Sequence, residues 1–252
     1  MRHPSAGCDG RGYLSLETPH WLLVGNSRWH WGAQNRHPSL CCWSESPADG
    51  EKRAAALGSK GLVAWAAVGP APESLPRLQR ITTAEVPLVG APPWLGVDRA
   101  LAGWRAWQRQ GAAHSVLVAD AGTALSLTRV DAGGKFAGGR LLAGAGLQLR
   151  ALAQATLALP ALAPEALMDE AAGWPQATES ALVVGIVRGL AAALTSAAEE
   201  ARISEPQPCR LWLTGGDGPL LAPVLQSAGQ SWRLEPDLVV EALTGLRPAP
   251  DR

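Results

Sequence analysis

Val116-Leu-Val-Ala-Asp-Ala-Gly-Thr-Ala-Leu-Ser-Leu-Thr128 carries an apolar run to Asp120, turns at Gly122-Thr123 and returns in strict alternation. Ala124, Ser126 and Thr128 fall on one side of the returning run and Leu125 and Leu127 on the other. This pattern predicts a β-hairpin whose tip holds one carboxylate, one hydroxyl and the amides of a glycine turn. Small residues let a ligand approach those N–H groups closely, so the tip suits phosphate and cation binding. A weaker copy precedes it, Trp21-Leu-Leu-Val-Gly-Asn-Ser-Arg-Trp-His-Trp31. Two copies of one strand–turn–strand device imply a duplicated domain with a nucleotide between the halves.

The bulk composition narrows the class. The chain has 252 residues, enough for one large domain or two small ones. Lys plus Arg and Asp plus Glu number 22 each, so no basic excess points to nucleic acid. No run of about 20 apolar residues is apparent, so no membrane span is expected. The N-terminus lacks the apolar core of a signal peptide, which favours the cytoplasm. Cys8, Cys41, Cys42 and Cys209 lack metal-ligand spacing and read as reduced thiols. Eleven Trp stand against one Tyr and one Phe; with no basic groove beside them, they read as core filling.

Outward from the hairpins, residues 1–18 read as a disordered or extraneous leader. Residues 36–60 read as loop with a short helix at 48–57, and 61–68 as a buried strand. A short helix is expected at 74–81 and a short strand at 86–88. Asp98 is expected to cap a helix over 99–110 that Gly111 ends. Past the second hairpin come a strand at 136–142, a helix at 146–157 and the longest helix at 179–200. A strand at 210–213, a helix at 220–227, a strand at 232–234 and a helix at 237–243 complete the chain. The layering is α/β, with an N-terminal lobe over 19–113 and a C-terminal lobe over 114–248.

Six pieces occur in order: Gly25-Asn26-Ser27, Gly96-Val97-Asp98-Arg99, Asp120-Ala-Gly-Thr-Ala124, Gly138-Gly139 with Gly144, Thr178 with Ala181 and Gly185, and Thr214-Gly215-Gly216. Each alone is weak, but the ordered set over about 21–246 resembles type III pantothenate kinase, of the actin and sugar-kinase superfamily. The resemblance implies the ribonuclease H-like, actin-like ATPase fold, two similar lobes of mixed sheet with flanking helices. It implies ATP-dependent phosphorylation of pantothenate, the first step of coenzyme A synthesis, by a cytoplasmic homodimer using Mg²⁺ and a monovalent cation, K⁺ or NH₄⁺.

The resemblance also distributes roles. Asp98 is the proton acceptor, and Gly96, Val97, Arg99 and Thr178 join it in binding pantothenate. Gly25, Asn26, Ser27, Thr123, Gly215 and Gly216 hold ATP, and Asp120 holds the monovalent cation. Phosphoryl transfer to an alcohol requires such parts: a carboxylate for the hydroxyl and donors for the phosphates. Asp98 and Thr178 also fit plain helix N-caps, and Asp120 a tight-turn residue.

Three positions depart from the family pattern. Leu23 stands where an Asp usually helps hold metal and phosphates. Either ATP and water hold Mg²⁺ there, or activity is reduced. Ala143 replaces a Pro ahead of Gly144, and Pro92-Pro93-Trp94 occupies a stretch where a Tyr usually precedes the substrate loop. The alternative reading is a catalytically weakened relative that binds nucleotide or a protein partner in a regulatory role.

Overall fold

The computed structural model describes residues 18–34, 40–70, 72–111, 114–168, 173–204 and 208–248. The leader expected over 1–18 lies outside the described residues except for Thr18. The chain divides into two compact units, one of residues 1–105 with 237–252 and one of residues 106–236.

The first unit is built on a four-stranded sheet of β1 (His20–Val24), β2 (Trp29–Gln34), β3 (Leu40–Glu45) and β4 (Leu62–Ala67), in the order β3-β2-β1-β4. β1 and β2 are the first expected hairpin, with Leu22 opposite Trp31 and Val24 opposite Trp29. β4 runs parallel to β1, which leaves β1 central and buried along its whole length. A continuous apolar strand is what two covered faces demand. One cover is α1 (Pro47–Gly61), whose Ser46 cap accepts from the Asp49 amide at 3.2 Å. Ala54 and Leu57 of α1 join Leu22, Trp29, Trp31 and Trp65 in one core cluster. α6 (Leu238–Leu246) also packs on this sheet, so the C-terminal helix belongs to the first unit and not to the expected 114–248 lobe. Its buried face of Leu238, Val239, Val240, Ala242 and Leu243 explains why: the sheet needs an apolar cover there.

Other local expectations change. The stretch expected to be loop contains β3, which pairs with β2 through Trp43 opposite Trp31. The helix expected at 74–81 is only a 3₁₀ turn at Arg77–Gln79, because the Ile81 amide donates to Trp65 O at 2.7 Å and draws the chain beside β4. No strand forms at 86–88, where the backbone instead closes a tight Leu88 N–Val86 O contact of 2.7 Å after a 3₁₀ turn at Thr83–Glu85. α2 (Val97–Gln110) begins before Asp98, so Asp98 sits inside the first turn and is not its cap.

The second unit carries β5 (Ser115–Ala121), β6 (Ala124–Val130), β7 (Phe136–Ala143), β8 (Cys209–Thr214) and β9 (Trp232–Leu234), ordered β7-β6-β5-β8-β9. β5 and β6 are the second expected hairpin, and β8 runs parallel to β5. The order repeats that of the first sheet with one strand added. The duplication read from the two hairpins is therefore present in the topology.

α3 (Ala145–Ala155), α4 (Thr178–Ile203) and α5 (Gly218–Ser227) pack on one face, where Leu149, Leu190, Leu194, Leu221 and Leu225 meet Leu125 and Leu127. On Trp212 of β8 lie the guanidinium groups of Arg109 and Arg233, 5.3 and 4.7 Å from the ring centroid. Glu235 accepts from both, at 2.9 and 2.7 Å. Contrary to the sequence expectation, α4 is long and apolar enough to cross a membrane. Its apolar stripe, Val183 to Ala201, is spent on the core of this unit.

Core filling holds for part of the tryptophan set and fails at two positions. Trp21, Trp31, Trp65 and Trp212 are fully buried, while Trp94 and Trp174 stand out in solvent. Cys41, Cys42 and Cys209 are free thiols, and burial first, then Asp237, pushes the Cys42 thiol far up.

Candidate active site

In the first unit the chemistry-bearing residues lie on two segments. The β1–β2 tip is closed by the Gly25 amide donating to Arg28 O at 3.1 Å, and Asn26 and Ser27 are exposed on it. His30, just beyond, shares a 2.7 Å hydrogen bond with Ser44 Oγ. Burial, and then Arg28, hold its pKa below the ordinary value. Leu23 sits in β1 between His30 and Ala66 and is 7% exposed.

The second segment begins α2. Gly96 O accepts from the Ala100 amide at 3.0 Å, and Asp98 lies in the first helical turn, where the helix dipole favours an anion. Asp98 Oδ1 is buried and meets no hydrogen-bond partner among the described residues. A Cβ on residue 96 would lie 2.5 Å from that oxygen, so a side chain there would push the carboxylate aside. Burial raises the Asp98 pKa above the usual carboxylate value; the Arg99 amide, the Arg99 charge and its own amide pull the other way. Arg99 is partly buried, and desolvation lowers its pKa while Asp98 raises it. Val97, expected in the substrate loop, turns its side chain into the core at 6% exposure.

In the second unit three loops converge at one end of the sheet. Asp120 is the penultimate residue of β5, opposite Ser126 and Thr214. Its Oδ1 lies 2.5 Å from where a Cβ on Gly215 would be, and Gly215 has φ +86°. The loop after β8 is tied back by the Asp217 amide donating to Ala121 O at 2.9 Å. The Gly144 amide donates to Thr123 O at 3.0 Å, which joins the β5–β6 tip to the start of α3. α3 has no side-chain cap at Gly144, so its first amides are open to an anion. Gly122, Gly144, Ala145, Leu190 and Asp217 line a narrow crevice at this junction, too tight to admit a water molecule.

The sequence-predicted residues thus fall into groups. Asp120, Thr123 and Gly215 come together, with Gly216 exposed on the same loop. Gly96, Asp98 and Arg99 come together in the other unit. Thr178 is the exposed first residue of α4, after an Ala177 cap, so it is not itself the cap. It lies about 18 Å along the helix axis from the crevice-lining Leu190, at the usual rise per residue.

Asp217 was missed by sequence reasoning. It occupies the N-cap position of α5 yet makes no side-chain capping bond, and burial raises its pKa. Its place directly after Gly215-Gly216 was the available signal.

Asp120 Oδ1 and Ala121 O both face the position of a Cβ built on Gly215, so two oxygen acceptors lie side by side at this tip. Among the described residues no group of three His, Cys, Asp or Glu side chains gathers to hold a metal.

Comparison with known proteins agrees with the order of motifs. The family model for type III pantothenate kinase matches residues 80–200. The type III pantothenate kinase of Synechococcus elongatus is 36% identical over 244 residues, covering 90% of this chain and 96% of that protein. The one from Synechococcus sp. strain JA-3-3Ab is 37% identical over 246 residues, covering 93% and 95%. Among solved structures, the activator of the 2-hydroxyisocaproyl-CoA dehydratase from Clostridium difficile with bound ADPNP superposes with TM-score 0.55 at 12% identity, covering 91% of this chain and 93% of that one. That likeness concerns the fold alone, and it is the actin-like ATPase fold that the family resemblance implies. With whole-length identity above one third to two such relatives, the chain belongs to the type III pantothenate kinase family.

Proposed function

We propose that the chain transfers the γ-phosphoryl group of ATP to the primary alcohol of pantothenate, giving 4′-phosphopantothenate and ADP in the first step of coenzyme A synthesis. The observation that carries this reading is Asp98: a carboxylate with one buried oxygen left unpartnered, its pKa raised, beside Arg99. Asp98 accepts the hydroxyl proton as the alcohol oxygen bonds to phosphorus and the bond to ADP breaks. A raised pKa makes it a better proton acceptor than an ordinary aspartate.

Arg99 offers a planar donor set for the substrate carboxylate. Gly96 and the backbone of Val97 shape that loop, and Thr178 completes pantothenate binding. Gly25, Asn26 and Ser27, with Thr123, Gly215 and Gly216, donate to the ATP phosphates, where uncharged donors and open amides stabilise spreading negative charge. Asp120 holds K⁺ or NH₄⁺. Mg²⁺, when bound with ATP, neutralises charge developing on the β- and γ-oxygens.

The enzyme works in the cytoplasm as a homodimer, with α4 as the contact. Gly185 and Gly189 lie exposed inside this helix, and among the described residues nothing beyond the helix's own nearby backbone lies within 4 Å of a Cβ built on either. Each costs about 1 kcal/mol against Ala in a helix interior. Close approach of a second helix gives these positions a use.

Mass-spectrometric detection of phosphopantothenate from ATP, Mg²⁺ and pantothenate tests the reading. Product is expected with K⁺ and much less without it. Binding of ATP with no product under either condition favours the regulatory alternative, which Leu23 motivates.

A further inference from the structure

In the first unit the large hydrophobic side chains left exposed among the described residues are Leu78, Val89 and Trp94. All three lie on the irregular segment between β4 and α2, the segment that delivers Asp98. That segment is firmly tied. Thr83 Oγ1 donates to Leu95 O at 2.7 Å, and Thr82 and Glu85 form a reciprocal capping box. The Leu95 amide donates to Pro92 O at 3.0 Å, closing a turn whose Pro92 and Pro93 have fixed φ. The turn holds Trp94 at 75% exposure, two positions ahead of Gly96 and four ahead of Asp98.

Single exposed hydrophobic residues are ordinary on a protein surface. This one is carried on a hydrogen-bonded turn and stands four residues ahead of Asp98, a carboxylate with a buried oxygen that lacks a partner among the described residues. Resting on the pantothenate kinase reading, we propose that Trp94 is a specificity-determining residue of the acceptor site. Its indole packs against the two methyl groups that flank the reactive alcohol of pantothenate. The chemistry of that substrate asks for such a surface. Its alcohol is carried next to a quaternary carbon, so a site that brings the oxygen to a carboxylate must also cover two methyls. A rigid indole gives a large apolar face at little loss of side-chain freedom. Val89, on the same segment, is 59% exposed.

The test compares wild type, Trp94→Ala and Trp94→Phe, each with pantothenate and with the analogue lacking both methyls. Trp94→Ala is expected to raise the pantothenate KM about tenfold, with kcat and the ATP KM nearly unchanged. Trp94→Phe, which keeps an aromatic face, stays within about threefold of wild type. Removing the methyls weakens binding about tenfold in wild type but no more than about twofold in Trp94→Ala, because the two losses remove the same contact. Thermal melting close to wild type confirms that the exposed position is not structural. An unchanged pantothenate KM in Trp94→Ala, or an equal methyl effect in both proteins, overturns the proposal. Wild type that forms no phosphopantothenate overturns the underlying reading instead, and that result is visible before any variant is compared.

Discussion

The two hairpin tips hold equivalent places in sheets of one strand order, yet their chemistry differs. Leu23-Val24-Gly25-Asn26 aligns with Asp120-Ala121-Gly122-Thr123, each two residues from its turn glycine and each beside a parallel strand. Leu23 faces His30 and Ala66, whereas Asp120 faces Ser126 and Thr214. The second tip is tied to two further loops through Gly144 and Asp217; the first is closed on itself through Gly25 and Arg28. The lesson is that duplication fixes the backbone device, while each copy sets its own charge. The first unit places its carboxylate away from the tip, at the start of α2.

The strongest way to break the second tip is Gly215→Ala. A Cβ there meets Ala121 O at 2.3 Å and Asp120 Oδ1 at 2.5 Å, on a backbone with positive φ. We expect a loss of about 3 kcal/mol or more in denaturant unfolding, with turnover abolished. Gly122→Ala is the control: nothing lies within 4 Å of its Cβ, and its φ is not positive. Its stability should stay within about 0.5 kcal/mol of wild type, while the ATP KM rises because the added methyl keeps phosphate away from the turn.

Exchanging the tips' chemistry sharpens the comparison. Asp120→Leu, which makes the second tip like the first, should lower kcat by about 100-fold or more and abolish K⁺ activation. Leu23→Asp does the reverse. It removes a buried leucine and puts a carboxyl at a position 7% exposed, so a loss of about 3 kcal/mol is expected. Mg²⁺ with ATP should restore more of the melting temperature in this variant than in wild type. Equal restoration would mean that the first tip does not meet the metal–phosphate group.

Much of this was legible because hairpins write themselves in alternation and glycine. β5 and β6 carry their register in Leu125, Ser126 and Leu127, and the central strands read as continuous apolar runs. β3 was hidden because Cys41-Cys42-Trp43-Ser44 has no apolar alternation; what makes it a strand is its partner β2. The return of α6 to the first sheet depends on a pairing far along the chain, which local pattern does not encode. At the site, the glycines were visible but their reasons were not. That a side chain at residue 96 would press on Asp98 Oδ1 is a matter of 2.5 Å in space. Asp217 escaped because an Asp before a helix reads as a cap, and only coordinates show that it does not cap.

The comparison has a last handle, the carboxylate that the first unit carries on α2. Asp98 has its pKa raised in the folded chain, chiefly by burial. As proton acceptor it must be ionised, so the acid limb of kcat/KM should lie above the ordinary aspartate value of 3.8. Arg99→Ala removes the charge that favours ionisation and should move the limb further up. Stability follows the same shift with a definite sign. A group whose folded pKa is raised lends stability in full below its unfolded pKa and loses it as pH rises through the folded pKa. At neutral pH ionised Asp98 therefore burdens the fold. Asp98→Asn should lower kcat by about 10²–10⁴-fold yet melt higher than wild type at pH 7. The difference in melting should vanish as pH falls below the ordinary aspartate range, where wild type is protonated too. A variant that is inactive but melts lower at pH 7 would mean that Asp98 is bound into the helix start as structure, and that the first unit's acid does not serve the alcohol.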